Sequence, residues 1–248
     1  EVDNLYPPTQ NMVTKVAMKS MHPMAVYVTE ELRRAGDPEK ALQMQAYMRT
    51  TQEFYGVQAG PRRRIFKKAA KKFQISSRSE YKQIICELWN GRYREDMYQA
   101  LEVAERYKEF RDKKSWPIYE KLVKTAPHWD TLDWIAGKLI SPLVLSNREL
   151  EEKLVKWARS KNFWVRRASL LAHLHHRSNT NTELLADTIL LLAHEKEFFI
   201  RKAIGWILRD YSYANPEWVG NFVEENKDIL SGLSKREALK HINRQLSD

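Results

Sequence analysis

WDTLDWIAG (residues 129–137), WVRRASLLA (164–172), FIRKAIGWI (199–207) and SKREALKHI (234–242) are four stretches of one chain, each starting 35 residues after the last. The shift aligns Trp129, Trp164, Phe199 and Ser234, and with them Asp133, Ala168, Ala203 and Ala238. A period of this length, with apolar residues three and four apart, belongs to paired helices that bury their apolar faces only by stacking on their neighbours. The expected fold is therefore all-α, a solenoid whose stacked pairs curve and present a concave face. Arg94 to Ala104 and Pro61 to Ala70 resemble earlier, more diverged copies at a different offset.

Helix signals extend outward from the repeat. Asp37-Pro38, Asn215-Pro216 and Ser234 followed by Glu237, a capping box, each read as a helix start, with further starts near Ser79, Ser146 or Asn147, and Thr182. After Thr182, Leu184, Leu185, Thr188, Ile189 and Leu192 form one face. About a dozen helices of roughly 10 to 16 residues are expected, and no strand.

Composition agrees. The 248 residues carry 42 basic and 32 acidic side chains, a net charge of +10, and 43% are hydrophobic, which excludes wholesale disorder. Eight glycines and nine prolines are too few for a many-stranded β fold. Cys86 is the one cysteine, which excludes an intramolecular disulfide and a cysteine-based zinc site. The longest apolar run, Leu184 to Ala193, is broken by Asp187, and the first 21 residues lack the features of a secretory signal. A soluble, intracellular protein is expected, in cytoplasm and nucleoid or in a nucleus.

The chemistry centres on Asp133. Where the other repeats carry a small alanine, this one has a carboxylate in an expected first helical turn, after Asp130 as the expected cap. Acids are favoured near helix N-termini by the dipole alone, but a lone acid in a column of alanines, beside Trp129 and Trp134, points to function. Arg166-Arg167, Arg201-Lys202 and Lys235-Arg236 share a register, and Arg62, Arg63, Arg64, Lys67, Lys68, Lys71 and Lys72 form a run. Equivalent register in a solenoid means an equivalent face, so a basic stripe suited to a phosphate backbone is expected, against the plainer reading of a solvated face with intrahelical ion pairs.

Of eight tryptophans, Trp89, Trp157 and Trp218 sit at apolar-periodic positions and read as core. Trp129, Trp164 and Trp206 lie at helix starts or beside the charged positions, where an aromatic face can stack on a sugar or base. There is no glycine-rich phosphate loop, GxSxG or HExxH. His173, His175 and His176 read as surface or DNA-facing histidines rather than a metal site; neither metal nor cofactor is expected.

The stretches MHPMAVYV, GDPEKALQMQAYMR, YGVQAGPRRR, HWDTLDWI, NFWVRRASLL, KEFFIRKAIGWILRDY and LSKREALKHI resemble, in order, the AlkD-like DNA alkylation repair family of HEAT-like-repeat DNA glycosylases. The resemblance runs from His22 to the C-terminus, leaving residues 1–21 as an extension without a functional reading and 22–248 as one domain. It implies a right-handed α-solenoid of HEAT-like repeats with a concave DNA-binding face. It further implies monofunctional hydrolysis of the N-glycosidic bond of cationic N3- and N7-alkylpurines in duplex DNA, without a base-flipping pocket.

By this resemblance Asp133 is the catalytic aspartate, Trp129 and Trp206 contact the sugar, Arg167 holds the backbone near the lesion and Tyr47 lies at the cleft. Register adds Arg62, Arg63, Lys202, Arg209, Lys235 and Arg236 as candidate DNA contacts. The implied partner is duplex DNA bearing alkylated purines, bound by a monomer, with no membrane. Two other classes compete: a non-catalytic binder of DNA structure, and a helical scaffold for a protein partner. Asp133 argues against the first, since an acid facing phosphates costs affinity, and the excess of base argues against the second.

Overall fold

A computed structural model describes residues 21–245, all helix, turn and loop with no strand among them. The N-terminal extension lies outside these residues except for Met21. Two compact units divide between Phe110 and Arg111. No described helix is long and apolar enough to cross a membrane.

The first unit holds α1 (Pro23–Arg34), α2 (Pro38–Met48), α3 (Ala59–Lys72), α4 (Arg78–Trp89) and α5 (Arg94–Arg106). Asp37 caps α2 as expected, accepting from the backbone of Glu39 and Lys40 ahead of the proline. A capping box opens α4 at Ser77 and Glu80, two residues before the expected Ser79. Trp89 is core. The buried Glu95 carboxylate accepts from the N–H groups of Tyr55, Gly56 and Val57 at 3.0, 2.9 and 2.9 Å, pinning the loop before α3. Gly56 is required there: its φ is +84°, and a Cβ would lie 2.0 Å from the Asp37 carbonyl oxygen.

The second unit begins with α6 (Trp116–Thr125). Next, α7 (Trp129–Trp134) runs unbroken through a π-helical stretch, Ile135–Ile140, into α8 (Ser141–Ser146). Then follow α9 (Glu151–Trp157), α10 (Phe163–Leu171), α11 (Thr182–Leu192), α12 (Phe198–Ser212), α13 (Pro216–Glu225), α14 (Gly232–Ala238) and α15 (Lys240–Gln245). Several have only six to nine residues, shorter than expected. Asn215 caps α13 and Asn181 caps α11, whose face is Leu185, Thr188, Ile189 and Leu192.

Two expected caps are corrected. His128, not Asp130, precedes α7. Ser231 caps α14 by accepting from the Ser234 N–H, so Ser234 is inside the helix and Glu237 completes no capping box.

The aligned column opens a helix every time: Trp129 begins α7, Trp164 and Phe199 are second in α10 and α12, and Ser234 is third in α14. Ala168, Ala203 and Ala238 are wholly buried. The helices meet so closely that a Cβ on Gly205 of α12 would fall 2.4 Å from the Glu237 Cβ of α14. Trp157 is buried against Trp116, ring centroids 5.1 Å apart. Trp218 is only half-buried, packed on Phe222 and Tyr211 rather than in the core.

Candidate active site

Asp133 is the fifth residue of α7, one turn beyond Trp129 on the same face. Arg167 of α10 grips its carboxylate with a two-bonded fork, Nε to Oδ1 and Nη2 to Oδ2, both 2.8 Å. The third corner of the guanidinium, Nη1, donates to the Phe199 carbonyl. Arg167 is 3% exposed and Asp133 15%.

Burial pushes the Asp133 carboxyl above its ordinary value; the hydrogen bonds and charge of Arg167 oppose this, Asp130 adds to it and His128 offsets it. The ionised form is thus held by Arg167, not by the helix start as expected, because Asp133 lies past the first turn, where the dipole acts. Arg167 itself faces the acid, not solvent.

A cluster of aromatic rings adjoins Arg167. Trp164 and Phe199 lie 4.9 Å apart, centroid to centroid, and Phe163 packs on Trp164 at 4.3 Å. His128 is within 6.1 Å of Trp129, 5.7 Å of Trp164 and 6.0 Å of Phe199. The guanidinium carbon of Arg167 lies 5.8 Å from the Phe199 ring centre. Trp206 is half-buried on α12, seven residues after Phe199 and so on the same face two turns along.

The basic stripe expected in this unit is largely spent within it. Arg166 forks onto Glu195 at 2.6 and 2.8 Å, and Arg201 donates to the Glu195 carbonyl. Lys202, Arg209 and Lys240 converge on the buried Glu237 at 2.8, 2.6 and 2.5 Å. Burial alone would raise the Glu237 pKa, but these cations hold it down at about 2. Lys235 donates to the Lys227 carbonyl, and Arg236 is exposed.

In the first unit Arg62 is buried with its guanidinium 4.2 Å over Tyr98, so it faces the core and not a phosphate. The helical phase explains this, since Arg62 shares a face with Ile65, Phe66 and Ala69. Arg63, Arg64, Lys67, Lys68 and Lys71 are exposed on the other side of α3, a helix with no acid; of these, the charge of Arg63 reaches the Glu102 carboxylate. Tyr47 is 78% exposed on α2. An open cleft of about 490 Å³ beside Arg33, Leu42, Tyr55 and Tyr93 contains none of the expected site residues.

His173 and His176 are each 1% exposed, which corrects their expected surface position. Their rings lie 5.8 Å apart, His176 Nε2 meets the Ser141 carbonyl at 2.9 Å, and burial pushes the His173 pKa down to about 3. His175 alone of the three is exposed. No three His, Cys, Asp or Glu side chains among the described residues gather as a metal site.

Sequence reasoning missed His128, Phe163, Phe199, Glu195 and Glu237 as parts of this machinery. Phe199 stood in the aligned column and could have been read as an aromatic extension of Trp129 and Trp164. Glu195 carries no local signal, and the local signal of Glu237 points to a capping box instead.

The model of a protein family described as DNA alkylation repair enzyme matches residues 28–242. The chain is also similar to a solved structure described as a predicted DNA alkylation repair enzyme from Enterococcus faecalis. Their TM-score is 0.76 at 30% identity, covering 83% of this chain and 95% of that one. Among curated proteins none matches.

Proposed function

Because the chain belongs to the DNA alkylation repair enzyme family, we propose that it is a monofunctional DNA glycosylase acting on cationic N3- and N7-alkylpurines in duplex DNA. The observation that carries this reading is an enclosed carboxylate, Asp133, held by the fork of Arg167, whose guanidinium adjoins a cluster of aromatic rings at Phe199. The 35-residue recurrence of helix starts supports a right-handed α-solenoid of HEAT-like repeats with a concave face as the frame.

As the bond from C1′ to the purine nitrogen breaks, its electron pair leaves with the base and positive charge builds on the sugar. An ionised Asp133 stabilises that charge and orients the water whose oxygen adds to C1′, the water's proton passing to solvent. Trp129 and Trp206 offer the negative faces of their rings to the electron-poor sugar, as to a cation. A purine already cationic from alkylation departs neutral, so no general acid is required and one carboxylate is enough. No base-flipping pocket enters this scheme.

Arg167, being enclosed, acts first through Asp133 and reaches a phosphate only if the fork opens. The exposed cations of α3, including Arg63, and Tyr47 of α2 are the better placed candidates for contact with the duplex. Lys202, Arg209 and Lys235 contribute after their inner partners are met, and Arg236 directly.

The test uses a duplex with a single N7-methylguanine and counts abasic sites by alkali cleavage. Wild type should excise and Asp133→Asn should lose at least a hundredfold in rate, with duplex affinity equal or higher. Tight binding without excision by either protein would replace the enzyme with a non-catalytic binder.

A further inference from the structure

His128 introduces α7 through its backbone: its carbonyl accepts from the Leu132 N–H and the Thr131 hydroxyl, both at 3.1 Å. Its ring forms no capping bond to the helix. Instead the imidazole lies against Trp129, Trp164 and Phe199, one ring from each of three successive repeats, at 6.1, 5.7 and 6.0 Å. Nδ1 is 3.9 Å from the Asp130 carboxylate, and the side chain is 21% exposed. The charged groups that act with it include Asp130 and Asp133 of the helix it introduces, and Arg167 of α10 acts on the same Asp133, while α12 presents the uncharged ring of Phe199.

We propose that His128 is a positioning residue for the reaction: caged by three aromatic rings, its imidazole fixes the face of Trp129 and, when protonated, adds to the Arg167 fork a second, weaker positive charge that favours Asp133 as a carboxylate. The reaction half of this proposal rests on the glycosylase reading above; the electrostatic half does not. Aromatic faces favour a cation between them, and imidazoles take up a proton between about pH 8 and 5. Asp130 favours the charged ring as well. The imidazolium then works against the two influences that disfavour an ionised Asp133, its burial and the like charge of Asp130. A phenylalanine would fill the same cage without charge.

The experiment follows the Asp133 carboxyl carbon by NMR through a pH titration of the DNA-free protein, wild type against His128→Phe, with melting temperature as the folding control. Excision of N7-methylguanine at saturating duplex is measured over the same pH range. The Asp133 midpoint should rise in the variant, because the charge of His128 lowers it in the wild type. The acid limb of kcat should move up by the same number of pH units as the Asp133 midpoint, with a larger loss on that limb than at pH 8. His128→Ala, which empties the cage, should lower kcat at every pH while the duplex Kd holds.

An unmoved Asp133 midpoint in a folded His128→Phe protein would overturn the charge role. A moved midpoint with an unmoved acid limb, or an alanine variant with wild-type kcat, would overturn the positioning role. If the wild type excises nothing, the glycosylase reading fails and the NMR titration still decides the charge.

Discussion

Replacing Glu237 with glutamine should destabilise the protein at neutral pH and do so much less in acid. The carboxylate is 5% exposed and takes charge-assisted bonds from Lys202, Arg209 and Lys240. Burial works to raise its pKa, yet the cations bring it from 4.5 to about 2. One pKa unit corresponds to about 1.4 kcal/mol between the two protonation states, so the whole depression sets a ceiling near ~3 kcal/mol. Lys202 and Lys240 are 37% and 51% exposed, so water screens part of the attraction, and about 2 kcal/mol is the expected loss at pH 7.

The sign follows from linkage: an acid whose folded pKa lies below its unfolded value contributes stability fully above about pH 5 and loses it as pH falls through 4.5 towards 2. Urea unfolding of both proteins at pH 7 and pH 3 measures this directly. The gap should shrink to less than half at the lower pH. A gap below about 0.5 kcal/mol at pH 7, the range of an ordinary surface substitution, or one of equal size at pH 3, would refute the hub.

His173 is enclosed and neutral in the fold, with burial holding its pKa at about 3 against 6.5. The unfolded chain therefore binds a proton that the fold refuses, and stability falls by up to about 1.4 kcal/mol per pH unit from about pH 6.5 towards 3. His173→Phe should flatten that slope in unfolding measured at pH 7, 5.5 and 4.5, and an unchanged slope would place the acid sensitivity elsewhere. For α3, Arg63→Gln, Lys67→Gln and Lys71→Gln together remove one exposed row. If all three meet phosphates, the slope of log affinity against log salt should become shallower by about 0.9 per contact. Melting temperature should hold or rise, because like charges four apart repel; an unaltered salt slope would remove α3 from the interface.

What could be read from the sequence was what each residue determines locally. Asp37 and Asn215 announce their helices because a cap bonds only to the next turn, and the alanine column announces close packing because small size is visible in the letter itself. The same locality misled at Ser234, where Ser231 three residues earlier makes the cap. Three consecutive arginines hid the helical phase that sends Arg62 inward while Arg63 and Arg64 face out. The partners of Lys202 and Arg209 lie 35 and 28 residues away, beyond any local pattern. Asp133 stands out in the sequence, but the fork that holds it does not, because Arg167 in its basic register reads as a phosphate contact.

Three of the more enclosed ion pairs of the second unit join positions about one repeat apart: Arg167 to Asp133, Arg166 to Glu195, Lys202 to Glu237. Consensus repeat arrays tolerate shuffling because each module is satisfied by any neighbour. These modules are keyed to particular neighbours. Excising residues 164–198 in register would bring Lys202 to the place of Arg167, setting a single point charge opposite Asp133 where a planar fork had stood. The number and order of these repeats are thereby fixed by charge as well as by shape, and the unit should unfold as one cooperative body rather than fray module by module.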